Sequence, residues 1–90
     1  MDEEKQVRMI AAVSAALDFK KKNPQADMER AMQHIAKLAK KEKEEIVKIG
    51  MIAAASKALS IAEKNPNMHE KGIIKQVVKE IPQIVAGIDK

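Results

Sequence analysis

Few residues in this chain are of types that do chemistry, and they lie far apart. The histidines are His34 and His69. Neither has an acid or a second histidine at i±4 on its own helical face, and no HExxH spacing occurs. No metal site is expected, and both read as surface histidines. Serine is confined to Ser14, Ser56 and Ser60, all in alanine-rich surroundings. A nucleophilic serine needs a base, an oxyanion site and usually a sharp turn, so these read as small packing residues. Paired carboxylates occur at Glu3-Glu4 and Glu44-Glu45. General acid–base work requires environments that push two pKa values apart, whereas these pairs fall at helix starts among other charges. Gly50, Gly72 and Gly87 stand singly, with no phosphate-binding GxxxxGK loop. Cysteine is absent, which removes disulfides and thiolate chemistry. The expectation is a non-enzyme with no cofactor.

Lysine is the one abundant functional type. Lys20-Lys21-Lys22, Lys40-Lys41-Lys43 and the series Lys71, Lys75, Lys79 are candidate basic patches. The formal charge of +4 permits attraction to polyanions. Acids are interleaved, the only arginines are Arg8 and Arg30, and one phenylalanine leaves almost nothing for base stacking. A helix-turn-helix fitted across Asn65-Pro66 would put Lys71, Lys75, Gln76 and Lys79 toward a groove, although the turn lacks the usual glycine. Lysines at helix ends explain the same residues. Nucleic-acid contact through these four residues is therefore the alternative reading.

Whatever these side chains do, a repeat positions them. Residues 9–24 read MIAAVSAALDFKKKNP and residues 51–66 read MIAAASKALSIAEKNP, with ten of sixteen positions identical at an offset of 42. Alanine bias accounts for three of the ten. The shared Met9/Met51, Ser14/Ser56, Leu17/Leu59, Asn23/Asn65 and Pro24/Pro66 are not explained by composition. Each copy (2–41 and 43–88) reads as helix, Asn-Pro turn, helix. The residue before proline is driven out of the helical region, so the first helix of each copy should end at Lys22 and Lys64. Asparagine, tolerant of a left-handed backbone, suits the position after each helix. Asp27 opens the next helix in copy one. Asn67 with Glu70 forms a capping-box pattern in copy two.

Helices are predicted over 3–22, 27–41, 43–64 and 68–81, the last extending to about 88. Acids crowd the starts and lysines the ends, complementing each helix dipole by roughly 0.3–1 kcal/mol per charge. The apolar stripe of the fourth helix keeps phase through Pro82, as in a proline-kinked helix. A break at Ile81 is the alternative. A continuous helix over 27–64 remains open for a swapped dimer, because no Gly or Pro separates Lys40 from Ile49.

The second helix should bury Met28, Ala31, Met32, Ile35, Leu38 and Ala39. The fourth should bury Ile73, Ile74, Val77, Val78, Ile81, Ile84, Val85 and Ile88. In the first and third, Met9, Ile10, Val13, Ala16, Leu17 and their equivalents Met51, Ile52, Ala55, Ala58, Leu59 form the expected core stripe. Ala11, Ala12, Ala15, Ala53 and Ala54 carry apolar surface most of the way round. A helix apolar on most sides is usually central, so helices one and three are expected in the middle. Gly50 aligns with Arg8 and marks a close helix crossing. Methionines 9, 28, 32 and 51 read as core filling rather than an adaptable docking surface.

Ninety residues make a single domain, 1–90, with a thin margin of stability. The acidic Met1-Asp2-Glu3-Glu4 lacks a basic secretory n-region, and no apolar run spans a bilayer. A cytoplasmic location without membrane association is expected. The composite expectation is an all-α, four-helix domain built from two repeated hairpins. It would act by protein–protein association, foremost with itself as a homo-oligomer, because 90 residues struggle to cover so much apolar surface.

Overall fold

A computed structural model of the chain describes residues 3–88, and the side chain of Ile88 lies outside that description. The expected burial of Ile88 falls there, as do Met1 and Asp2. The fold is all-helical. Four helices follow in order: α1 (Glu3–Lys22), α2 (Met28–Ala39), α3 (Glu45–Lys64) and α4 (Glu70–Ile88). Both ends of α3 fall 42 residues after those of α1, and α4 starts 42 residues after α2. No described helix is long and apolar enough to cross a membrane.

Asparagine ends α1 and α3 in the same way. The backbone N–H of Asn23 donates to the Phe19 carbonyl at 2.9 Å, and its Nδ2 donates to the same oxygen at 3.0 Å. Asn65 repeats both bonds on the Ile61 carbonyl, at 2.9 and 3.0 Å. The chain then turns at proline, and the turns close through Ala26 N–H to Asn23 O and Met68 N–H to Asn65 O, each 2.9 Å. Pro suits position i+1 of such a turn because its φ is already set. The left-handed asparagine does not occur, since no described non-glycine residue has positive φ. Side-chain capping, rather than backbone tolerance, is what asparagine contributes here.

Asp27 caps α2 as expected, its carboxylate accepting from the Arg30 N–H at 2.9 Å. The Asn67–Glu70 capping box does not form. Asn67 lies within the proline turn, so α4 starts at Glu70, where the His69 carbonyl accepts from Ile73 N–H at 3.1 Å. The predicted second helix also ends early, at Ala39. The N–H groups of Lys41 and Glu42 bond the Leu38 and Ala39 carbonyls at 3.3 and 3.0 Å, closing the end of the helix. Residues 40–44 separate α2 from α3, which excludes the continuous 27–64 helix in this fold. Pro82 lies inside an unbroken α4 on its exposed side, so the break at Ile81 is absent.

Both α1 and α3 touch all three other helices, whereas α2 and α4 touch only α1 and α3. In cross-section the four helices form a rhombus with α1 and α3 on its short diagonal. The two run parallel: Met9 meets Gly50 near their starts, and Lys20 shares a cleft with Ala62 and Glu63 near their ends. Their contact is made by small residues. Ala12, Ala16, Ala54, Ala55 and Ala58 are all buried, with Met9, Val13 and Val47 filling the remaining space. Short side chains let the backbones approach, and Gly50 removes the last obstacle where the Met9 thioether lies across α3.

The expected core stripe of α1 and α3 is buried at Met9, Val13, Ala16, Leu17, Met51, Ala55, Ala58 and Leu59, and departs from expectation at Ile10 and Ile52. Ala12, Ala54, Val47 and Ile61 are buried, while Ile10 is only partly covered and Ile52 remains 37% exposed. On a helix apolar nearly all round, hydropathy leaves the edge of the buried arc open, and here that edge takes in the small Ala12 and Ala54 in place of Ile10 and Ile52. Met28 is likewise exposed rather than buried, but Ala31, Ile35 and Ala39 are buried as expected. In α4, Ile73, Val77 and Ile81 are buried, and Ile74, Val78, Ile84 and Val85 line the edge of the core.

Candidate functional site

The polar residues singled out for chemistry stay apart. Among the described residues no group of three or more His, Asp or Glu is placed to hold a metal ion. Ser14, Ser56 and Ser60 lie partly exposed along the outer sides of α1 and α3. Glu3 and Glu4 stand exposed at the start of α1, and Glu44 and Glu45 at the start of α3. Ion pairs tie these starts together. Arg8 bonds Glu4 at 2.9 Å and Glu42 at 3.0 Å, and Lys5 meets Glu44 at 3.0 Å. Their work is to anchor α1 to the α2–α3 connection.

His34 is not a plain surface histidine. Its ring stacks on Phe19, with centroids 4.9 Å apart and planes 20° from parallel, and it is half-buried. The contact joins the end of α1 to the middle of α2. Nothing in the sequence spacing pairs these positions. His69 is exposed before the first turn of α4.

A cleft of about 350 Å3 lies between α3 and the α1–α2 connection, lined by Lys20, Asp27, Met28, Ala31, Leu59, Ala62 and Glu63. Its charged groups are already engaged at two points. Lys20 Nζ donates to the Ala26 carbonyl, and Asp27 caps α2. Both contacts are structural, and Met28 at 37% exposure is left with apolar surface toward solvent.

The four residues of the nucleic-acid reading fall on α4. Lys71, Lys75 and Lys79 succeed one another at i, i+4 and i+8 on its exposed face, with exposed Gln76 on the adjoining row. None of the three lysines is ion-paired among the described residues. A shallow apolar groove formed by Gly72, Ile74 and Val78 runs beside Lys71 and Lys75. Successive like charges at i, i+4 oppose helix formation by roughly 0.2–0.5 kcal/mol per pair.

Apart from Met28 on α2, the exposed large apolar side chains among the described residues lie on the outward sides of the central pair. Val7 is 58% exposed on α1, and Ile49 is 46% exposed on α3 with Ile52 one turn on. Val7, Ile10, Ala11 and Ser14 occupy on α1 the places that Ile49, Ile52, Ala53 and Ser56 occupy on α3, 42 residues later. Because α1 and α3 are the short diagonal of the rhombus, these two stripes face opposite sides of the molecule. Sequence reasoning assigned Ile10 and Ile52 to the core and so missed both stripes. Comparison with protein-family models, with curated proteins and with solved structures found no match.

Proposed function

We propose that this chain is a non-enzymatic helical module that works by protein–protein association, with copies of itself as the first partner. The observation that carries this reading is the outward exposure of Val7, Ile49 and Ile52 on the two helices that form the middle of the bundle. Exposed β-branched side chains on the two central helices cost hydrophobic free energy in a monomer and recover it on association. The polar groups act as caps and ion pairs at helix ends, which supports a binding role over catalysis. Light scattering across a wide concentration range tests it. A mass that rises toward a multiple of the 10.0 kDa chain is expected, and a strict monomer near millimolar concentration overturns it.

The module is, in this reading, a duplicated hairpin in one domain. Supporting this are the 42-residue match of helix boundaries, the twin asparagine caps and the twin exposed stripes. A cysteine-free chain also suits a reducing, cytoplasmic setting.

The unpaired ladder Lys71, Lys75, Lys79 with Gln76 favours one second reading, a nucleic-acid-associated protein. Titration with duplex DNA and with RNA at two salt concentrations discriminates. Phosphate contacts by three lysines give a slope of about −2.7 in log affinity against log salt, and no binding at low salt removes this reading.

A further inference from the structure

We infer that a second copy of this chain docks on the outer face of α3, antiparallel to it across a twofold axis near Ala53 and Ser56. This rests on the self-association reading and specifies where and how it occurs. The outer arc of α3 carries Glu45, Ile49, Ile52, Ala53, Ser56, Ser60 and Glu63, so its middle is free of charge between the terminal acids. Lys57 borders this arc but is drawn toward α4 by Glu80, at 3.2 Å. The arc has a polarity of size: its N-terminal half presents two isoleucines and its C-terminal half presents serines.

That polarity selects the arrangement. In an antiparallel pair Ile49 lies over Ser60 of the other copy, and Ile52 lies over Ser56. Each large side chain then meets a small one, as close-packed helices require. A parallel pair would set isoleucine on isoleucine at one end and leave the serine end hollow. Charge selects the same solution. Each end of the antiparallel seam brings Glu45 and Lys48 of one copy to Glu63 and Lys64 of the other, two acids with two bases. The parallel pair would stack Glu45 on Glu45 and Glu63 on Glu63.

The equivalent stripe on α1 is unsuited to this. Asp18 stands where α3 has Ser60, and it is exposed and paired with Lys22 at 3.1 Å. Antiparallel pairing of α1 would press Val7 against that carboxylate, at a desolvation cost. Size sets the strength. A 20-residue helix is about 30 Å long and about 10 Å across, so the α3 seam itself covers roughly 300 Å2 per copy, the scale of a weak, concentration-dependent dimer.

The test combines sedimentation equilibrium with disulfide trapping in this cysteine-free chain. Ile52→Glu should weaken dimerisation at least about 30-fold, with helicity by circular dichroism unchanged because the site is at the surface. Val7→Glu should leave the dimer intact. An oxidised mixture of Ile49→Cys and Ser60→Cys chains should give the mixed disulfide in excess over either homodimer. A dimer broken by Val7→Glu but not Ile52→Glu, or an excess of the Ile49→Cys homodisulfide, overturns this seam while leaving self-association standing. A strict monomer overturns both.

Discussion

Gly50 and Met9 show how much one methyl group matters in this core. A Cβ on Gly50 would sit 3.0 Å from the Met9 sulfur and 3.1 Å from its terminal methyl. Met9 is fully buried, so its flexible thioether has little room to retreat. Gly50→Ala gains helix propensity of about 0.8–1 kcal/mol but overpacks by roughly 1–3 kcal/mol. The expected result of urea denaturation is net destabilisation of about 1 kcal/mol, reduced or abolished when the same change is made in a Met9→Ala background. Gly72 is the contrasting case. A Cβ there approaches the Met68 side chain at 3.2 Å, but Met68 is partly exposed and can swing aside. Gly72→Ala should therefore stabilise the protein by roughly 0.5–1 kcal/mol. The Phe19–His34 stack belongs to the same scale. A double-mutant cycle to alanine should give a coupling of about 0.5–1.5 kcal/mol, and additivity within error would deny the stack any energetic role.

At the scale of elements, α2 and α4 begin at equivalent positions with unequal caps. Asp27 supplies a carboxylate to the Arg30 N–H, whereas His69 precedes α4 at the matching place. Asp27→Ala should cost about 1 kcal/mol, and His69→Asp should add roughly 0.5–1 kcal/mol by completing the cap. Thermal denaturation of the two variants checks both, and a His69→Asp protein no more stable than the parent would refute the cap equivalence. Pro82 interrupts the hydrogen-bond ladder of α4 on the side that water can reach, so the helix continues. Pro82→Ala restores the missing N–H and should stabilise α4 by about 1–3 kcal/mol. Sequence periodicity allowed this continuity, because the apolar phase of Ile81, Ile84 and Val85 crosses the proline unbroken, but left a break at Ile81 equally open.

On the scale of the whole molecule, four helices enclose a core whose centre is mostly alanine. The α1–α3 diagonal is short because its residues are small, and that leaves α2 and α4 too far apart to meet. The outer arcs of α1 and α3 consequently remain uncovered, and Val7, Ile49 and Ile52 are exposed on them. Shortening the diagonal thus creates the apolar surface on which association is proposed. Ala54→Leu, which forces the central pair apart, should destabilise the fold by roughly 1–3 kcal/mol, and unchanged stability in denaturant would show that this diagonal has slack.

Helix number, turn positions and the amphipathic faces of α2 and α4 were legible in the residues alone. Prolines stop helices locally, asparagine caps bond within four residues, and a strongly one-sided pattern admits one buried face. The starts of α4 and the end of α2 were less legible, since turn closure at Asn65–Met68 competes with the Asn67 cap for the same backbone. What only the tertiary structure decided is the edge of the buried arc on α1 and α3, where Ile10 and Ile52 give way to Ala12 and Ala54. Apolar residues nearly encircle both helices, so burial energy varies little with rotation. The close approach of Gly50 to Met9 then settles that edge. That choice buries Ala12 and Ala54, turns Ile52 outward, and thereby decides which side chains are left to meet another molecule.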